Sequence, residues 1–540
     1  MTRNLTDFCA EIFSAIFSAI KSHKFFALFV VAYCVVLVAF SRYAPNLDDL
    51  AWFAYISHGE MDFFYGGGGN PRDGRFYPFA FIDLLLLMKI STSPYVFFAV
   101  NAVLFVIFCA LYLKILELNN GKSALNSLIV ALITLSVGFI IVFFGICYPE
   151  KLQVMWLSIF MLCSFCVIRD MGGGKSTKST QFHQIISIIS LNIALYYKEP
   201  TFIAAFAFGA VLLIFAIQNH QKDLQKYAIY IIVSALLYVI LYILLVLVFN
   251  DIIRFYTKNA ENTILREFVV CAFNDSLVVF TCGGILLYRI YRACFKKERI
   301  EPFFDGLLVA SLGYFSAFVV LRMYAPYFIL PCFVLGIPSV LYFVRKYFRN
   351  IFIKLCLILG LFGFLAQNIP SGIHKMIDLK AQGVQFHQTL DFVAQYLRKN
   401  KSADIYFEGI GRGSEIYGED SEFFVSWFDE YLEIFYDIDI TPHTNAPSGA
   451  SVALGYRVLE GTPKTNDLII VSNKSAFGDS LSVAQNRGEL IFVSGFPSVP
   501  HIALMPIIKY LNAKYFKSDI FGKHNNFFAL PRRTYVFRAN

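Results

Sequence analysis

Charged residues are scarce in this chain. Only 16% of its 540 residues are charged and 57% are hydrophobic, whereas a soluble globular chain is roughly a quarter charged and about half apolar. This balance excludes an ordinary soluble fold and indicates a polytopic membrane protein. The formal net charge of +8 is weak evidence for nucleic-acid binding. Basic residues fall mostly in short loops between apolar runs, where they orient a chain in a membrane.

Several motifs of soluble enzymes and secreted proteins are also missing. No cysteine follows Cys356, which excludes disulfides in the C-terminal part of the chain. Neither an HExxH nor a paired CxxC motif is present, so no zinc site is indicated. The stretch "MGGGKSTKST" (171–180) is no phosphate-binding loop, because Arg169 stands where that motif needs its first glycine. No cleavable signal peptide is evident.

The sequence contains eleven apolar runs long enough to span a membrane. Basic clusters in alternate loops place the N-terminus in the cytoplasm by the positive-inside rule. Segment 75–89 carries Asp83 and is apolar for only about 13 residues, so we expect an interfacial helix on the outer face there. The eleven predicted spans lie at roughly 24–40, 94–113, 124–146, 152–168, 183–197, 200–217, 227–249, 268–288, 303–321, 324–344 and 351–367.

Residues 368–540 have a different composition. "FHQTLDFVAQYLRKN" predicts an amphipathic helix, and "ADIYFEG", "NDLIIVSN" and "ELIFVSG" predict strands. The sequence therefore predicts a transmembrane module over 1–367, with a first outer loop at about 41–93, and a mixed α/β domain over 368–540. With eleven spans, that domain lies on the extracytoplasmic side.

Ionisable residues gather at the predicted outer ends of the spans. In "NLDD", Asp48 and Asp49 either cap a short helix or supply a base; helical neighbours point about 100° apart, so at most one is the base. In "CYPEK", an ion pair of Glu150 with the adjacent Lys151 is the structural alternative to a functional role. Random anchoring should not concentrate acids at one membrane level, so the pattern favours a site.

This order of motifs resembles the GT-C superfamily of membrane glycosyltransferases, which take sugars from polyprenyl-phosphate donors. The resemblance covers roughly residues 20–345. It departs from the family pattern where Met323 separates Arg322 from Tyr324, since adjacent Arg-Tyr is more usual. The matching segments are "NLDD", "DGRFYPF", "YPEK", "YYKEP" and "LRMYAPYFILP".

The resemblance implies a GT-C-like fold and an inverting transfer from a polyprenyl-phosphate sugar to a hydroxyl of a cell-envelope glycan or glycolipid, such as lipopolysaccharide. The reaction would take place at the outer face of a bacterial inner membrane. Asp48, or else Asp49, would be the base. Lys198 and Arg322 would meet the leaving phosphate, and Glu150 would orient the acceptor or the sugar. Further implied substrate-binding residues are His58, Arg72, Arg75, Tyr148 and Tyr324.

No essential metal or other cofactor is expected from the resemblance. A divalent ion held by Asp48, Asp49 and Glu150 is the alternative. The expected partners are the lipid-linked donor, the glycan or glycolipid acceptor and membrane lipid, and no nucleic acid.

Three other functions compete with the transferase. A transporter or flippase of lipid-linked glycans usually carries ionisable residues near the membrane midplane, in broken helices or inverted repeats; the predicted spans hold few. An O-antigen polymerase or ligase would have a long outer loop near the middle of the chain, whereas here the long loop comes first. A receptor would not need acids in the short second outer loop.

Overall fold

The structure is a computed structural model that describes residues 24–43, 49, 75–121, 123–172, 177–248, 264–408, 428–438, 463–471, 480–496, 499–516 and 532–540. Three residues singled out in the sequence, Asp48, His58 and Arg72, lie outside these ranges.

The described part of the chain is mostly helical up to residue 399. Its helices are α1 Lys24–Val38, α2 Ile82–Met88, α3 Pro94–Asn120, α4 Ala124–Thr134, α5 Val137–Phe144, α6 Glu150–Gly172, α7 Lys178–Leu195, α8 Thr201–Gln218, α9 Lys222–Tyr242, α10 Ile264–Asn274, α11 Gly283–Phe295, α12 Pro302–Leu321, α13 Leu330–Tyr347, α14 Ile351–Gly363 and α15 Ile369–Lys399. Single π-helical turns follow α9, α10 and α14 at Ile243–Leu247, Leu277–Cys282 and Phe364–Asn368.

Seven described helices are long and apolar enough to cross a membrane, or up to eight if α4 and α5, bent by 68°, form one span. The polytopic helical fold predicted from composition is thereby confirmed, whereas the number of eleven spans stays a prediction. The predicted run at 324–344 begins late, since its helix starts only at Leu330. The seven are Pro94–Leu118, Glu150–Gly172, Thr201–Gln218, Lys222–Leu247, Leu277–Phe295, Pro302–Leu321 and Ile351–Lys399.

The predicted interfacial segment 75–89 contains only a short helix, α2. Its N-terminal part lies against the turn after α7, where the backbone N–H of Phe79 donates to the Tyr196 carbonyl at 3.1 Å. The hydroxyl of Tyr238, on α9, donates to the Phe76 carbonyl. These bonds hold the segment that precedes α2 against the ends of α7 and α9.

The predicted boundary at 367/368 falls inside one continuous helix that runs from Ile351 to Lys399. Pro370 would ordinarily interrupt such a helix, because it lacks an N–H and its ring crowds the preceding turn. Here the π-helical turn Phe364–Asn368 lies immediately before it, and a wider turn of this kind accommodates the irregularity. The helix therefore connects the apolar bundle directly to the C-terminal sheet.

The C-terminal sheet has four strands in the order β1-β2-β4-β3. The strands β1 and β2 are parallel, and β4 is antiparallel to both β2 and β3. On α15, Phe392 stacks on Phe492 of β3, with 4.3 Å between ring centroids. The elements after α15, in chain order, are β1 Ile405–Phe407, α16 Phe428–Tyr436, β2 Leu468–Val471, α17 Ser480–Arg487, β3 Gly488–Phe496, α18 Leu504–Leu511 with a π-helical turn Asn512–Phe516, and β4 Arg532–Ala539.

Three predicted strands thus occur as β1, β2 and β3, and the predicted amphipathic helix is the second half of α15. The strand β4 was not predicted. The extent of a separate C-terminal domain and its side of the membrane stay predictions.

An ionic cluster joins three helices at the end of α12 that is remote from Arg322. Arg289 of α11 makes a two-pronged contact with Asp305 of α12, at 2.8 and 2.7 Å. The same guanidinium donates to the Tyr347 hydroxyl of α13 at 2.7 Å and lies 3.1 Å from Glu298. Burial acts against ionisation of Glu298, but hydrogen bonds from Tyr347, Arg292 and Lys346 prevail and lower the pKa of its carboxyl to about 2.

Candidate active site

Glu150 and Lys198 form a buried ion pair between two different turns of the chain. Glu150 is the first residue of α6, and Lys198 lies in the turn between α7 and α8. Lys198 Nζ is 2.8 Å from Glu150 Oε1. The other carboxylate oxygen, Oε2, is buried without a hydrogen-bond partner among the described residues. A buried anion needs its cation, so the two turns are held together electrostatically.

Lys151 has a separate set of partners. Its Nζ lies 3.2 Å from Asp83 Oδ2 of α2. It also donates to the Ile146 carbonyl at 2.7 Å and to Asn101 Oδ1 at 3.1 Å. The structural alternative in which Lys151 neutralises its neighbour Glu150 is therefore wrong for this structure: Glu150 pairs with Lys198, and Lys151 pairs with Asp83.

Glu199 completes a third pair of the same kind. It receives Arg75 Nε at 2.8 Å and Nη2 at 3.3 Å, a bidentate arrangement. The backbone N–H of Phe76 lies 3.4 Å from the same carboxylate. One acid–base neighbour pair, Lys198–Glu199, is thus split between two partners, just as Glu150–Lys151 is.

Asp49 contributes the fourth carboxylate at this level. Its Oδ1 accepts hydrogen bonds from the backbone N–H groups of Ile146 at 2.8 Å and Cys147 at 3.0 Å, and lies 3.0 Å from Cys147 Sγ. Oδ2 is buried with no hydrogen-bond partner among the described residues. Burial raises the pKa of the Asp49 carboxyl, although these hydrogen bonds and the charge of Lys151 act in the opposite direction.

We call the six residues of these three ion pairs, together with Asp49, the ion-pair cluster. Within the described chain it holds four carboxylates and three cations, so one carboxylate, that of Asp49, lies outside the three ion pairs. A carboxylate with one oxygen fixed and the other unbonded is suited to accept a proton. The cluster consists of Asp49, Arg75, Asp83, Glu150, Lys151, Lys198 and Glu199.

Aromatic rings lie close to two cations of the cluster, Lys198 and Arg75. Lys198 Nζ lies 4.5 Å from the ring centre of Phe328 and 5.6 Å from that of Tyr77. The Arg75 guanidinium lies 4.9 Å from the centre of the same Tyr77 ring. Tyr148 packs edge-on against Tyr327, with 5.0 Å between centroids. The segment after α12 therefore borders the ion-pair cluster.

The segment 321–331, "LRMYAPYFILP", is anchored by a carboxylate that the sequence analysis did not single out. Tyr324 donates its hydroxyl to Asp275 Oδ2 at 2.6 Å. Asp275 Oδ1 accepts from Asn368 Nδ2 at 3.0 Å. Asn368 Oδ1 in turn accepts the backbone N–H of Val137, at the break between α4 and α5, at 3.0 Å. A signal existed, because an acid inside the predicted span 268–288 is costly unless partnered.

Arg322 ends α12 in the left-handed region, with φ of 55°. That conformation costs a non-glycine residue about 1–2 kcal/mol, and such strain persists where surrounding structure enforces it. Its side chain is half-buried. Arg322 thus starts the segment that Tyr324 anchors and that carries Phe328 to Lys198.

The described residues include no group of three or more His, Cys, Asp or Glu side chains that could hold a metal ion. The alternative metal site includes Asp48, which lies outside the described residues, so the expectation that no metal is required stays a prediction. Of the other predicted site residues, Asp49, Arg75, Glu150 and Lys198 come together in the ion-pair cluster.

No protein-family model matches the chain, and no curated protein matches it in sequence. Solved structures do show similarity. ArnT from Cupriavidus metallidurans bound to undecaprenyl phosphate is 11% identical with a TM-score of 0.42, over 88% of this chain and 96% of that one. The oligosaccharyltransferase AglB from Archaeoglobus fulgidus, in complex with an inhibitory peptide and a dolichol-phosphate, is 11% identical with a TM-score of 0.37, over 88% of this chain and 73% of that one.

The apo form of the Archaeoglobus fulgidus oligosaccharyltransferase is 12% identical with a TM-score of 0.38, over 72% of this chain and 63% of that one. At such values the similarity carries no argument about substrate or mechanism. The chain is thus similar in structure to ArnT and to an archaeal oligosaccharyltransferase, at 11–12% identity.

Proposed function

We propose that this protein is an inverting glycosyltransferase of the GT-C type that moves a sugar from a polyprenyl-phosphate donor to a hydroxyl of a cell-envelope glycan or glycolipid. The observation that carries the proposal is the Asp49 carboxylate within the ion-pair cluster, whose Oδ1 is held by two backbone N–H groups and whose Oδ2 has no hydrogen-bond partner among the described residues. Eleven spans, a cytoplasmic N-terminus, a bacterial inner membrane and an extracytoplasmic sheet are parts of the same proposal.

The reaction makes one bond and breaks another. The acceptor oxygen attacks the anomeric carbon, and its proton passes to a carboxylate of the "NLDD" pair, Asp48 or Asp49. The bond between the anomeric carbon and the phosphate oxygen breaks, and the polyprenyl phosphate leaves with the electron pair. Direct displacement inverts the configuration at the anomeric carbon.

Charge develops on the leaving phosphate, and fixed cations stabilise it. Arg322 supplies a forked donor that suits phosphate oxygens. Lys198 is the second candidate; it is already neutralised by Glu150 at 2.8 Å, so phosphate binding requires it to share its protons between the two. Glu150 Oε2, which has no described hydrogen-bond partner, orients a hydroxyl of the sugar or acceptor.

Access to Asp49 is the geometric demand of this mechanism. The residue is only 1% exposed, so the acceptor hydroxyl has to displace whatever covers Oδ2. We assign His58, Arg72, Arg75 and Tyr148 to donor or acceptor binding, because the resemblance of the sequence motifs implies these roles. His58 and Arg72 lie in the same predicted outer loop as Asp49.

The test compares Asp49→Asn and Asp48→Asn with the parent protein, purified in detergent and supplied with radiolabelled polyprenyl-phosphate sugars and extracted membrane glycolipids. Loss of the base lowers transfer by about 10²–10⁴-fold. Asp223→Asn is the matched control, because that carboxylate is 62% exposed in a surface pair on α9. The proposal predicts that one of the two "NLDD" variants loses transfer while its Tm stays within a few degrees of the parent's.

Two outcomes would overturn the proposal. Full transfer by both variants would leave the "NLDD" pair a structural cap. Absence of transfer by the parent with every donor would favour the second candidate, a flippase of lipid-linked glycans. One observation favours that candidate: the 68° bend between α4 and α5 is the kind of broken span that transporters use. Movement of a labelled lipid-linked glycan across proteoliposomes would then be measured.

A further inference from the structure

The helix α18 carries an apolar surface that the described protein covers only in part. It has the sequence LMPIIKYL, and none of its eight side chains is buried. Just before it Ile502 is 62% exposed, and Leu511 at its end is 42% exposed. In the turn that follows, Tyr515 is 65% exposed. Exposed apolar surface of this extent in one short segment marks an interaction site.

The segment is attached at one specific height on the long helix Ile351–Lys399. The backbone N–H of Met505 donates to Gln367 Oε1 at 2.8 Å. The ring of His501 stacks on that of His374, with 4.2 Å between centroids, and its Nε2 lies 3.1 Å from Ser371 Oγ. Burial lowers the pKa of His501 to about 4, with the positive charge of His374 acting in the same direction, so the His501 ring is neutral at pH 7.

That height coincides with the edge of a bilayer. A helix rises about 1.5 Å per residue, so Gln367 and Ser371 lie roughly 24 and 30 Å above Ile351. The hydrocarbon core of a bilayer is about 30 Å thick. The contacts of α18 are therefore made where a span that begins near Ile351 leaves the hydrocarbon.

The lipid-facing surface of the same helix continues up to this point. Its exposed apolar side chains recur through the span and reach Leu365, 49% exposed, and Ile373, 39% exposed. The half-buried side chains of α18, with exposed Ile502, Leu511 and Tyr515, extend this apolar belt sideways. Lys514, also exposed, lies 5.6 and 5.4 Å from the ring centres of Tyr510 and Tyr515, a pairing of cation and aromatic rings typical of a membrane interface. The belt on the span consists of Ile351, Phe352, Leu355, Ile358, Leu359, Leu361, Phe362 and Leu365.

We propose that α18 and the π-helical turn after it form an interfacial membrane anchor, lying in the plane of the leaflet into which the span Ile351–Asn368 emerges. The occupant of the apolar surface is the lipid of that leaflet. This fixes the C-terminal sheet against the membrane at a second point besides α15. The inference does not depend on the proposed transferase activity.

The test places a bimane fluorophore on Leu511→Cys, and separately on Tyr515→Cys, in a Cys294→Ser background whose own labelling is subtracted. The matched control is Gln485→Cys on α17, an exposed position of the same C-terminal part. The full-length protein is reconstituted at about one chain per vesicle. Quenching is measured with aqueous iodide and with a lipid that carries a nitroxide near the top of its acyl chain.

An anchor buried about 5–10 Å into the interface should reduce iodide quenching roughly fivefold relative to position 485 and should be quenched by the nitroxide lipid. Iodide quenching equal to that of the control would overturn the proposal. Shielding from iodide without nitroxide quenching would overturn it too, because a protein surface would then cover the helix. Agreement between the two positions guards against disturbance by a single label.

Discussion

Glu150 forms its ion pair with Lys198, in another turn of the chain, and not with the adjacent Lys151. Both side chains are almost fully buried, at 1% and 8% exposure. Removing one partner leaves a buried charge uncompensated, which costs about 3–5 kcal/mol. We expect Glu150→Gln and Lys198→Met each to lower Tm strongly, and the double variant to lower it by less than the sum of the two, as measured by intrinsic fluorescence in detergent.

A surface pair provides the comparison for this cycle. Asp223 and Lys226 lie 3.4 Å apart with side chains 62% and 66% exposed, and such pairs contribute only about 0–1 kcal/mol. Strictly additive effects of Glu150→Gln and Lys198→Met would contradict the pairing.

The pH dependence of Asp49 separates its role in catalysis from its effect on stability. Burial raises the pKa of its carboxyl above the ordinary value of 3.8. A base must be unprotonated, so transfer should fall about tenfold per pH unit once the pH drops below the raised pKa. Stability changes in the opposite sense: the buried carboxylate is unfavourable at neutral pH, and this cost disappears as the pH falls through the folded-state pKa.

Asp49→Asn is the reference for both measurements. The parent should gain Tm relative to this variant between pH 7 and the acid limb, while its transfer rate declines. If parent and variant show the same change of Tm with pH, Asp49 does not titrate in the folded protein over that range.

Sequence patterns identified the elements better than their contacts. Apolar runs of spanning length located the helical bundle, and short apolar runs bounded by turn residues located β1, β2 and β3. The strand β4, "RRTYVFRA", contains only the short apolar run "YVF" and was not predicted. The cation that pairs with Glu150 was not predictable from the sequence. Neighbouring residues on a helix point about 100° apart, so the adjacent Lys151 and the more distant Lys198 were both possible partners. The single helix across 351–399 was hidden by Pro370, which favours a break.

Tyr324→Phe should loosen the segment 321–331. The change removes the 2.6 Å hydrogen bond to the buried carboxylate of Asp275, at a cost of about 1–3 kcal/mol. Because Tyr324 anchors the segment that Arg322 begins, transfer should also fall, mainly in kcat/KM for the lipid donor. Tyr230→Phe on the exposed side of α9 is the control, its ring being 51% exposed. Parent-like Tm and transfer in Tyr324→Phe would show that Asp275 does not position this segment.

Arg289→Lys tests the ionic cluster at the far end of α12. Lysine keeps the charge but cannot reproduce the two-pronged contact with Asp305 and the simultaneous bond to Tyr347. We expect a loss of roughly 2–4 kcal/mol, seen as a lower Tm, with little change in transfer by the protein that remains folded. Arg292→Lys should have a much smaller effect, because the Arg292 side chain is 35% exposed. Equal effects of the two changes on Tm would argue against a special role for the two-pronged contact between Arg289 and Asp305.

The contact between the long helix and the break after α4 can be tested with one methyl group. A Cβ at Gly372 would lie 2.0 Å from the Leu135 carbonyl oxygen and 3.0 Å from the Val137 backbone nitrogen, neither of which is a flexible side chain. Gly372→Ala should therefore push the helix away from the break and strain the hydrogen bond of Asn368, costing about 1–3 kcal/mol. Gly283→Ala is the matched control: only the Val278 carbonyl oxygen lies near, at 3.9 Å, so it should be neutral or raise stability by roughly 0.5–1 kcal/mol. Comparison of the two Tm values decides the matter, and an unaltered Tm in Gly372→Ala would mean that the helix and the break are not in van der Waals contact.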